Sequence, residues 1–213
     1  MQLVNELAEK YADRFSTVQD ELPDRVYRET LSVHPHAHML SSRLQGLFLS
    51  FISTMLQPRH ILEIGTFTGY SALCLARGLA SDGQLHTIEL READAEVAAG
   101  NFKISKAADQ IFLHRGNALE IIPSLDYTWD LVFIDADKTS YIDYYEQVIP
   151  RMSENGWIVA DNVLFHGKVL EENISGKNAR AVHAFNEHVA ADPRTEQVML
   201  TVRDGLMLIK KIK

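Results

Sequence analysis

The chain has 213 residues, the length of one ordinary α/β domain and too short for two comfortable ones. Hydrophobic residues make up 46% and charged residues 23%, so the composition supports a folded core and argues against disorder. Asp and Glu number 29 against 21 Lys and Arg; a net charge of −8 without a dense basic run excludes nucleic acid and anionic membranes as expected partners.

The N-terminal residues have the polar spacing of a helix and lack the apolar core of a signal peptide. No apolar run approaches the roughly 20 residues that span a bilayer. The single cysteine, Cys74, cannot form an internal disulfide. We therefore expect a cytoplasmic protein.

Two helical segments precede the first predicted strand. Residues 2–33 have helical periodicity and should cap the domain or cover a cleft. Residues 39–56 form a predicted packing helix with a strongly apolar face. The residues of that face are Leu40, Leu44, Leu47, Phe48 and Phe51. We predict one domain over residues 1–213, with a helical cover at 1–57 and a Rossmann-like core at 58–213.

Seven short apolar runs predict strands, and segments with helical spacing separate the first five. This alternation implies a parallel sheet with right-handed crossovers. The last two runs are joined through Arg203-Asp204-Gly205, which is typical of a hairpin, so the sheet should end with one antiparallel strand. The predicted strands are 60–64, 84–89, 111–114, 130–135, 156–160, 196–200 and 206–209, with helices at 69–79, 91–106 and 140–149.

The first predicted strand runs into a turn that contains Gly65 and Gly69 and opens a helix, so a ligand can approach the backbone closely. The second ends in Glu89, at a spacing that suits a carboxylate holding the two hydroxyls of an adenosine ribose. The turn lacks the dinucleotide and polyphosphate glycine patterns, so a nucleoside without phosphates fits best. S-adenosylmethionine (SAM) matches, with Glu63 near its amino-acid end; the alternative is a tight turn beside a solvated carboxylate.

Polar clusters also follow the fourth and fifth predicted strands, at the same edge of the sheet. Asp135, Asp161 and Asn162 would supply three hard oxygen ligands, which suit Mg²⁺, Ca²⁺ or Mn²⁺. An octahedral Mg²⁺ would keep about three positions for water and a chelating substrate. The alternative is a loop start at Asp161 and a helix cap at Asp135.

Lys138 follows Asp135 by three residues, close to the predicted cation site. A neighbouring cation would favour its neutral amine, which makes Lys138 a candidate general base. The alternative is an ordinary surface lysine.

These motifs resemble those of the class I SAM-dependent O-methyltransferases, specifically the cation-dependent branch with caffeoyl-CoA and catechol O-methyltransferases. The resemblance covers the chain from about residue 20. It is carried by four ordered motifs, at residues 62–71, 133–138, 160–162 and 204–205.

The resemblance implies the Rossmann-like class I methyltransferase fold, helices on both faces of the sheet, and a homodimer. It supports Asp135, Asp161 and Asn162 as metal ligands and Lys138 as the base. It also implies a set of residues that line the SAM site: Met39, Ser41, Glu63, Gly65, Ser71, Glu89, Ala118, Asp135 and Tyr144.

The expected activity is methyl transfer from SAM to a hydroxyl of a catechol-like acceptor, a small aromatic diol, with a divalent cation, Mg²⁺ first, as cofactor. Residues 163–178 should form a loop over the acceptor, with Leu164 and Phe165 as ring contacts, or else an ordinary surface excursion. A caffeoyl-CoA-type ester is an alternative acceptor, but its phosphates would find only Arg25 and Arg28 near the cover.

Two other classes of protein stay open as alternatives. A catalytically silent SAM-fold binding protein would tolerate loss of the metal-ligand residues or of Lys138, and this chain has all of them. A nicotinamide-dependent oxidoreductase would need a third glycine at dinucleotide spacing, which is missing.

Four aromatic residues are interpreted as packing or edge residues rather than catalytic ones: Trp129, Tyr141, Tyr145 and Trp157.

Overall fold

A computed structural model of the chain describes residues 3–212. Three helices precede the sheet: α1 (Glu6–Arg14), α2 (Glu21–Val33) and α3 (Arg43–Leu56). Within the described part of the segment 2–33, which was predicted to be helical, the chain forms the two helices α1 and α2. The predicted helix 39–56 begins at Arg43, because the Ser42 side chain caps it by accepting a hydrogen bond from the Gln45 amide.

Seven strands form one sheet, in the order β3-β2-β1-β4-β5-β7-β6. β7 pairs antiparallel with both of its neighbours and the other observed pairs are parallel, so the predicted single antiparallel strand is confirmed. It is the last strand along the chain and lies one place in from the sheet edge. The strands are β1 (His60–Ile64), β2 (Gln84–Glu89), β3 (Ile111–Arg115), β4 (Trp129–Ile134), β5 (Met152–Asp161), β6 (Thr195–Leu200) and β7 (Leu206–Lys211).

Within residues 3–212, five further α-helices connect the strands or flank them. They are α4 (Tyr70–Ala76), α5 (Glu92–Lys103), α6 (Ala118–Ile121), α7 (Tyr141–Val148) and α8 (Lys177–Ala190). None of the helices within residues 3–212 combines the length and the apolarity that crossing a membrane requires.

Apolar residues fill both faces of the central strands. Along β4, Val132 and Ile134 belong to one hydrophobic core with Phe185 of α8, while Phe133 belongs to the other core with Tyr70 of α4. Strands that are buried on both sides are characteristic of sheets with helices on both faces. The sheet is thus a rigid base for the polar residues at its edge.

The buried face of α3 differs from the predicted one. Phe51 is 54% exposed, whereas Ser50 and Ser53 are buried. The Ser50 hydroxyl donates to the Cys74 carbonyl at 3.0 Å and the Ser53 hydroxyl to the Leu75 carbonyl at 2.5 Å. Because α3 turns its small polar residues toward α4, Phe51 points away from the core, and its prediction as a packing residue was wrong.

Candidate active site

A cleft with a volume of about 790 Å³ lies at the carboxyl ends of the central strands. Strand order reverses at this point, since β2 lies on one side of β1 and β4 on the other, and ligands collect at such positions. The N-terminal cover closes one wall with Leu3, Val4 and Glu9. The volume lies within the usual range of small-molecule and cofactor sites.

Eight of the nine residues predicted for the SAM site line this cleft: Met39, Ser41, Gly65, Ser71, Glu89, Ala118, Asp135 and Tyr144. The structure thus brings together side chains that are up to 105 positions apart in the chain, from Met39 to Tyr144. Glu63 is the exception, because it is fully buried behind the cleft wall.

Gly65 sets the position of the loop after β1. Its φ of +99° is rarely adopted by residues with a side chain, and a Cβ there would lie 2.1 Å from the Asp135 carbonyl oxygen. The Gly65 amide donates to the Ile88 carbonyl at 3.0 Å. The loop is therefore held between the ends of β2 and β4, where only glycine leaves the backbone enough room.

Glu89, at the end of β2, is buried and holds the same loop. Its two carboxylate oxygens accept hydrogen bonds from the Phe67 amide at 2.7 Å and the Arg91 amide at 2.9 Å. A carboxylate has about four acceptor positions, so two remain for ligand hydroxyls. This geometry fits the predicted role in ribose binding.

Glu63 lies behind Ser71 and accepts a hydrogen bond from the Thr87 hydroxyl. Burial raises the pKa of Glu63 to about 8, although the nearby hydroxyls of Ser71 and Thr87 act in the opposite direction. Within the described residues its Oε1 has no hydrogen-bond partner, which is unusual for a buried polar atom. The carboxylates that line the cleft itself, among them Glu89, Asp135 and Asp161, fit a positively charged cofactor such as SAM.

Asp135, Asp161 and Asn162 all line the cleft. In the parallel register of β4 and β5, Ile134 pairs with Ala160, so Asp135 and Asp161 follow side by side. Burial, and next the Asp135 carboxylate, raise the pKa of Asp161 above its ordinary value. Two adjacent carboxylates and an amide oxygen are a donor set that fits a hard divalent cation.

Lys138 lies beside this group with its side chain only 11% exposed. Its Nζ is 3.0 Å from Asp135 Oδ1 and donates to the Tyr141 hydroxyl at 2.5 Å. Lys138 therefore lines the cleft in a fixed position and is not an ordinary surface lysine.

Tyr141 has a polar role beyond the packing function predicted from the sequence. Its ring is fully buried, and its hydroxyl donates to the Asp161 carbonyl at 3.0 Å while it accepts from Lys138. Burial raises the pKa of Tyr141 well above its ordinary value, so the hydroxyl stays protonated at neutral pH. In the sequence, the polar role of Tyr141 was indicated only by its position three residues after Lys138, at the start of a helix.

Sequence reasoning also missed Gln45 and Arg203. The Gln45 side chain is fully buried and contacts Asp161, and Arg203 contacts Gln45. A glutamine on the otherwise apolar face of a helix was a weak signal for Gln45. For Arg203, the sequence shows only a charged residue before an Asp-Gly turn.

The loop after β5 is anchored to the turn between β6 and β7. The Leu164 amide donates to the Asp204 carbonyl at 2.9 Å, and the His166 amide donates to the Asp204 side chain. Phe165 lines the cleft as predicted for an acceptor contact. Leu164 does not line it, since its side chain packs against Gly205, so its prediction as a ring contact was wrong.

A seven-stranded sheet of this order, with an acidic cleft at the strand reversal, defines a class I SAM-dependent methyltransferase. Solved structures of such enzymes are similar over almost the whole chain. The SAH complex of the Bacillus cereus O-methyltransferase has 29% identity and a TM-score of 0.88, covering 96% of this chain and 97% of that one. The SAH-bound methyltransferase of Podospora anserina has 27% identity and a TM-score of 0.90, with 97% and 94% covered.

A family profile described as O-methyltransferase matches residues 13–212, so the chain belongs to the O-methyltransferase family. It is 32% identical over 202 residues to a caffeoyl-CoA O-methyltransferase of Eucalyptus gunnii, covering 90% of this chain and 81% of that protein. It is 36% identical over 161 residues to a catechol O-methyltransferase of Niastella koreensis, covering 73% and 72%. The protein is a SAM-dependent O-methyltransferase.

Proposed function

We propose that the protein transfers the SAM methyl group to one hydroxyl of a catechol-like acceptor, and that the reaction depends on a divalent cation. The observation that carries this proposal is the grouping of Asp135, Asp161 and Asn162 beside Lys138 on one wall of the cleft. An all-oxygen donor set next to an amine suits a reaction in which an acceptor hydroxyl loses its proton.

Asp135, Asp161 and Asn162 would hold the cation, and Mg²⁺ is our first choice, with Mn²⁺ and Ca²⁺ as alternatives that accept the same ligands. When bound, the cation would hold two adjacent acceptor oxygens and lower the pKa of one hydroxyl. An acceptor with a single ring hydroxyl would offer the cation only one oxygen instead of two adjacent ones, which is why we propose a diol.

Lys138 is the proposed general base. As an ammonium group its Nζ has three hydrogens, and two of them are used by Asp135 and Tyr141. Loss of the third leaves both hydrogen bonds in place and creates a lone pair, which can accept the proton of the acceptor hydroxyl. The remaining task of the protein is to align the methyl group with that oxygen, since position accounts for much of the rate of such reactions.

The positions of the two arginines of the cover favour a small acceptor over a coenzyme A ester. Arg25 and Arg28 lie on α2, where they pair with Glu29 and Asp24, and they do not line the cleft. Glu9 adds a carboxylate to the wall formed by the N-terminal cover. A caffeoyl-CoA-type ester is the second candidate because of the similarity to the Eucalyptus gunnii enzyme.

The proposal is tested by incubating the protein with methyl-labelled SAM, Mg²⁺ and each of three acceptors: catechol, phenol and caffeoyl-CoA. We expect labelled product from catechol and none from phenol. Labelled product from caffeoyl-CoA alone would favour the ester, and binding of SAM without transfer to any acceptor of the panel would favour a silent binding protein.

We also propose that the protein is a homodimer, as the family resemblance implies. The helix α1 has no buried residue, and Leu7 and Tyr11 on it and Phe15 directly after it are exposed at helical spacing. An apolar stripe of this kind is unusual on a monomer, and a second copy of the chain would cover it. Light scattering tests this: we expect a dimer for the wild type and a monomer for Leu7→Lys/Tyr11→Lys.

A further inference from the structure

Gln45 brings a polar group from the N-terminal cover into the buried base of the cleft. It lies on α3, and its side chain is fully buried. Its Nε2 donates a hydrogen bond of 2.7 Å to Asp161 Oδ2, across 116 positions of sequence. A buried amide is stable only when its donors and acceptor find partners, so this contact constrains both side chains.

Arg203 fixes which way the Gln45 amide points. Arg203 Nη1 donates to Gln45 Oε1 at 3.1 Å, and Arg203 Nη2 donates to the Leu40 carbonyl at 2.8 Å. A guanidinium group has donors and no acceptor, so the amide oxygen must face Arg203. The amide NH₂ group must therefore face Asp161.

Asp161 is held from two sides by this arrangement. Its Oδ1 accepts a hydrogen bond from the backbone N–H of Asn162 at 2.6 Å, and its Oδ2 accepts the hydrogen bond from the Gln45 side chain. With two acceptor positions used, about two remain on the carboxylate for another ligand. Both donors are neutral, so neither places a positive charge on the carboxylate that would compete with a cation.

Gln45 also separates Asp161 from the positive charge of Arg203. A direct ion pair between them would neutralise the carboxylate and compete with a bound cation. Because the Gln45 amide lies between them, the Arg203 guanidinium group orients Asp161 indirectly, through its hydrogen bond to Gln45.

We infer that Gln45 and Arg203 are positioning residues for Asp161: Gln45 fixes the carboxylate, and Arg203 fixes Gln45. This inference rests on the proposed cation dependence. Groups that orient a metal ligand in this way typically change metal affinity by about 10- to 100-fold when they are removed.

The test measures Mn²⁺ binding to the whole protein in the presence of SAH, through the electron paramagnetic resonance signal of free Mn²⁺. For Gln45→Met we expect Mn²⁺ affinity to fall by about 10- to 100-fold, with SAH affinity unchanged. For Arg203→Met we also expect a loss, and for Arg203→Lys we expect most of the affinity to return, because lysine is again only a donor. Mn²⁺ affinity equal to the wild type in Gln45→Met and Arg203→Met would overturn the inference.

Gln19→Met is the matched control. Gln19 is a second buried glutamine of the N-terminal cover, and its Nε2 donates to the Tyr70 hydroxyl at 2.6 Å. Its replacement removes a buried amide of the same kind without a contact to Asp161, so we expect Mn²⁺ affinity to be unchanged. If Gln45→Met does not fold, the two Arg203 variants decide the question.

A crystal structure of Gln45→Met or Arg203→Met without metal gives a readout that is independent of the cation. We expect the Asp161 carboxylate to rotate from its wild-type position, and an unmoved carboxylate would overturn the inference. A wild-type protein that binds no Mn²⁺ would instead contradict the cation dependence in the proposed function, so the two failures are distinguishable.

Discussion

Lys138 Nζ lies 3.0 Å from Asp135 Oδ1, so the proposed general base and a proposed cation ligand form one ion pair. They are three residues apart, at the end of β4, and both line the cleft. A cation bound to Asp135 would weaken this pair, since the carboxylate would then share its charge between two positive groups. Cation binding at Asp135 is thereby linked to the release of the Lys138 side chain from its ion pair with Asp135.

Replacing Lys138 tests its role as base. For Lys138→Ala we expect kcat to fall by about 10²- to 10⁴-fold while SAM affinity stays unchanged, because the base acts only on the acceptor proton. Lys138→Arg should be equally inactive, since a guanidinium keeps the positive charge but does not accept a proton. Lys103→Ala on the exposed end of α5 is the control, and retained activity in Lys138→Arg would argue against proton acceptance.

The hydroxyl of Tyr141 connects Lys138 to the Asp161 carbonyl. For Tyr141→Phe we expect kcat to fall by about tenfold, which corresponds to one lost hydrogen bond to a charged group. We also expect an altered pH–rate profile, because Lys138 loses one of its two fixed partners. An unchanged profile would mean that Tyr141 acts only in packing.

The Glu63 carboxyl predicts a pH-dependent stability of the cofactor-free protein. Its pKa is about 8 in the folded state against an ordinary 4.5, so the folded protein holds the proton more strongly than the unfolded chain. The stabilisation is complete below pH 4.5 and is lost as the pH rises to 8, by at most roughly 4–5 kcal/mol.

We therefore expect Glu63→Gln to gain stability relative to the wild type as the pH rises from 5 to 8. Urea unfolding at the two pH values measures this difference. Glu154→Gln is the control, because Glu154 is exposed and stays in water in both states. If the free energies of unfolding of Glu63→Gln and the wild type differ by the same amount at both pH values, the raised pKa of Glu63 is contradicted.

Gly65 and Gly100 form a matched pair for testing the loop after β1. Gly65→Ala should lower the free energy of unfolding by about 1–3 kcal/mol or more and weaken SAM binding, because of its φ and the contact with the Asp135 carbonyl. Gly100 lies within α5, and a Cβ there meets nothing within 4 Å. Gly100→Ala should raise stability by about 0.5–1 kcal/mol and leave SAM binding unchanged.

The sequence predicts the sheet well where local patterns define it. The bounds of β1 and β2 agree with the predicted 60–64 and 84–89, since both are short apolar runs between turns. β5 begins at Met152 instead of residue 156, because Met152 pairs with Trp129 across an irregular register that alternation of residue types does not reveal.

The same difference between local and distant signals applies to the site. Asp135 and Lys138 lie in one short motif, so the sequence places them together. Gln45 is 116 positions from Asp161 and 158 from Arg203, and only the position of α3 in the folded protein brings them into contact. Glu63 lies in a local motif that the sequence reveals, but whether its side chain faces the cleft or is buried depends on how α4 packs, which the sequence does not reveal.

The most direct test of cation-dependent O-methylation is methyl transfer from labelled SAM to catechol, before and after treatment with EDTA. We expect full transfer with Mg²⁺, none in EDTA, and recovery when excess Mg²⁺ is added back. Asp161→Ala should be inactive at the Mg²⁺ concentration that saturates the wild type. Full activity in EDTA would contradict the role assigned to Asp135, Asp161 and Asn162.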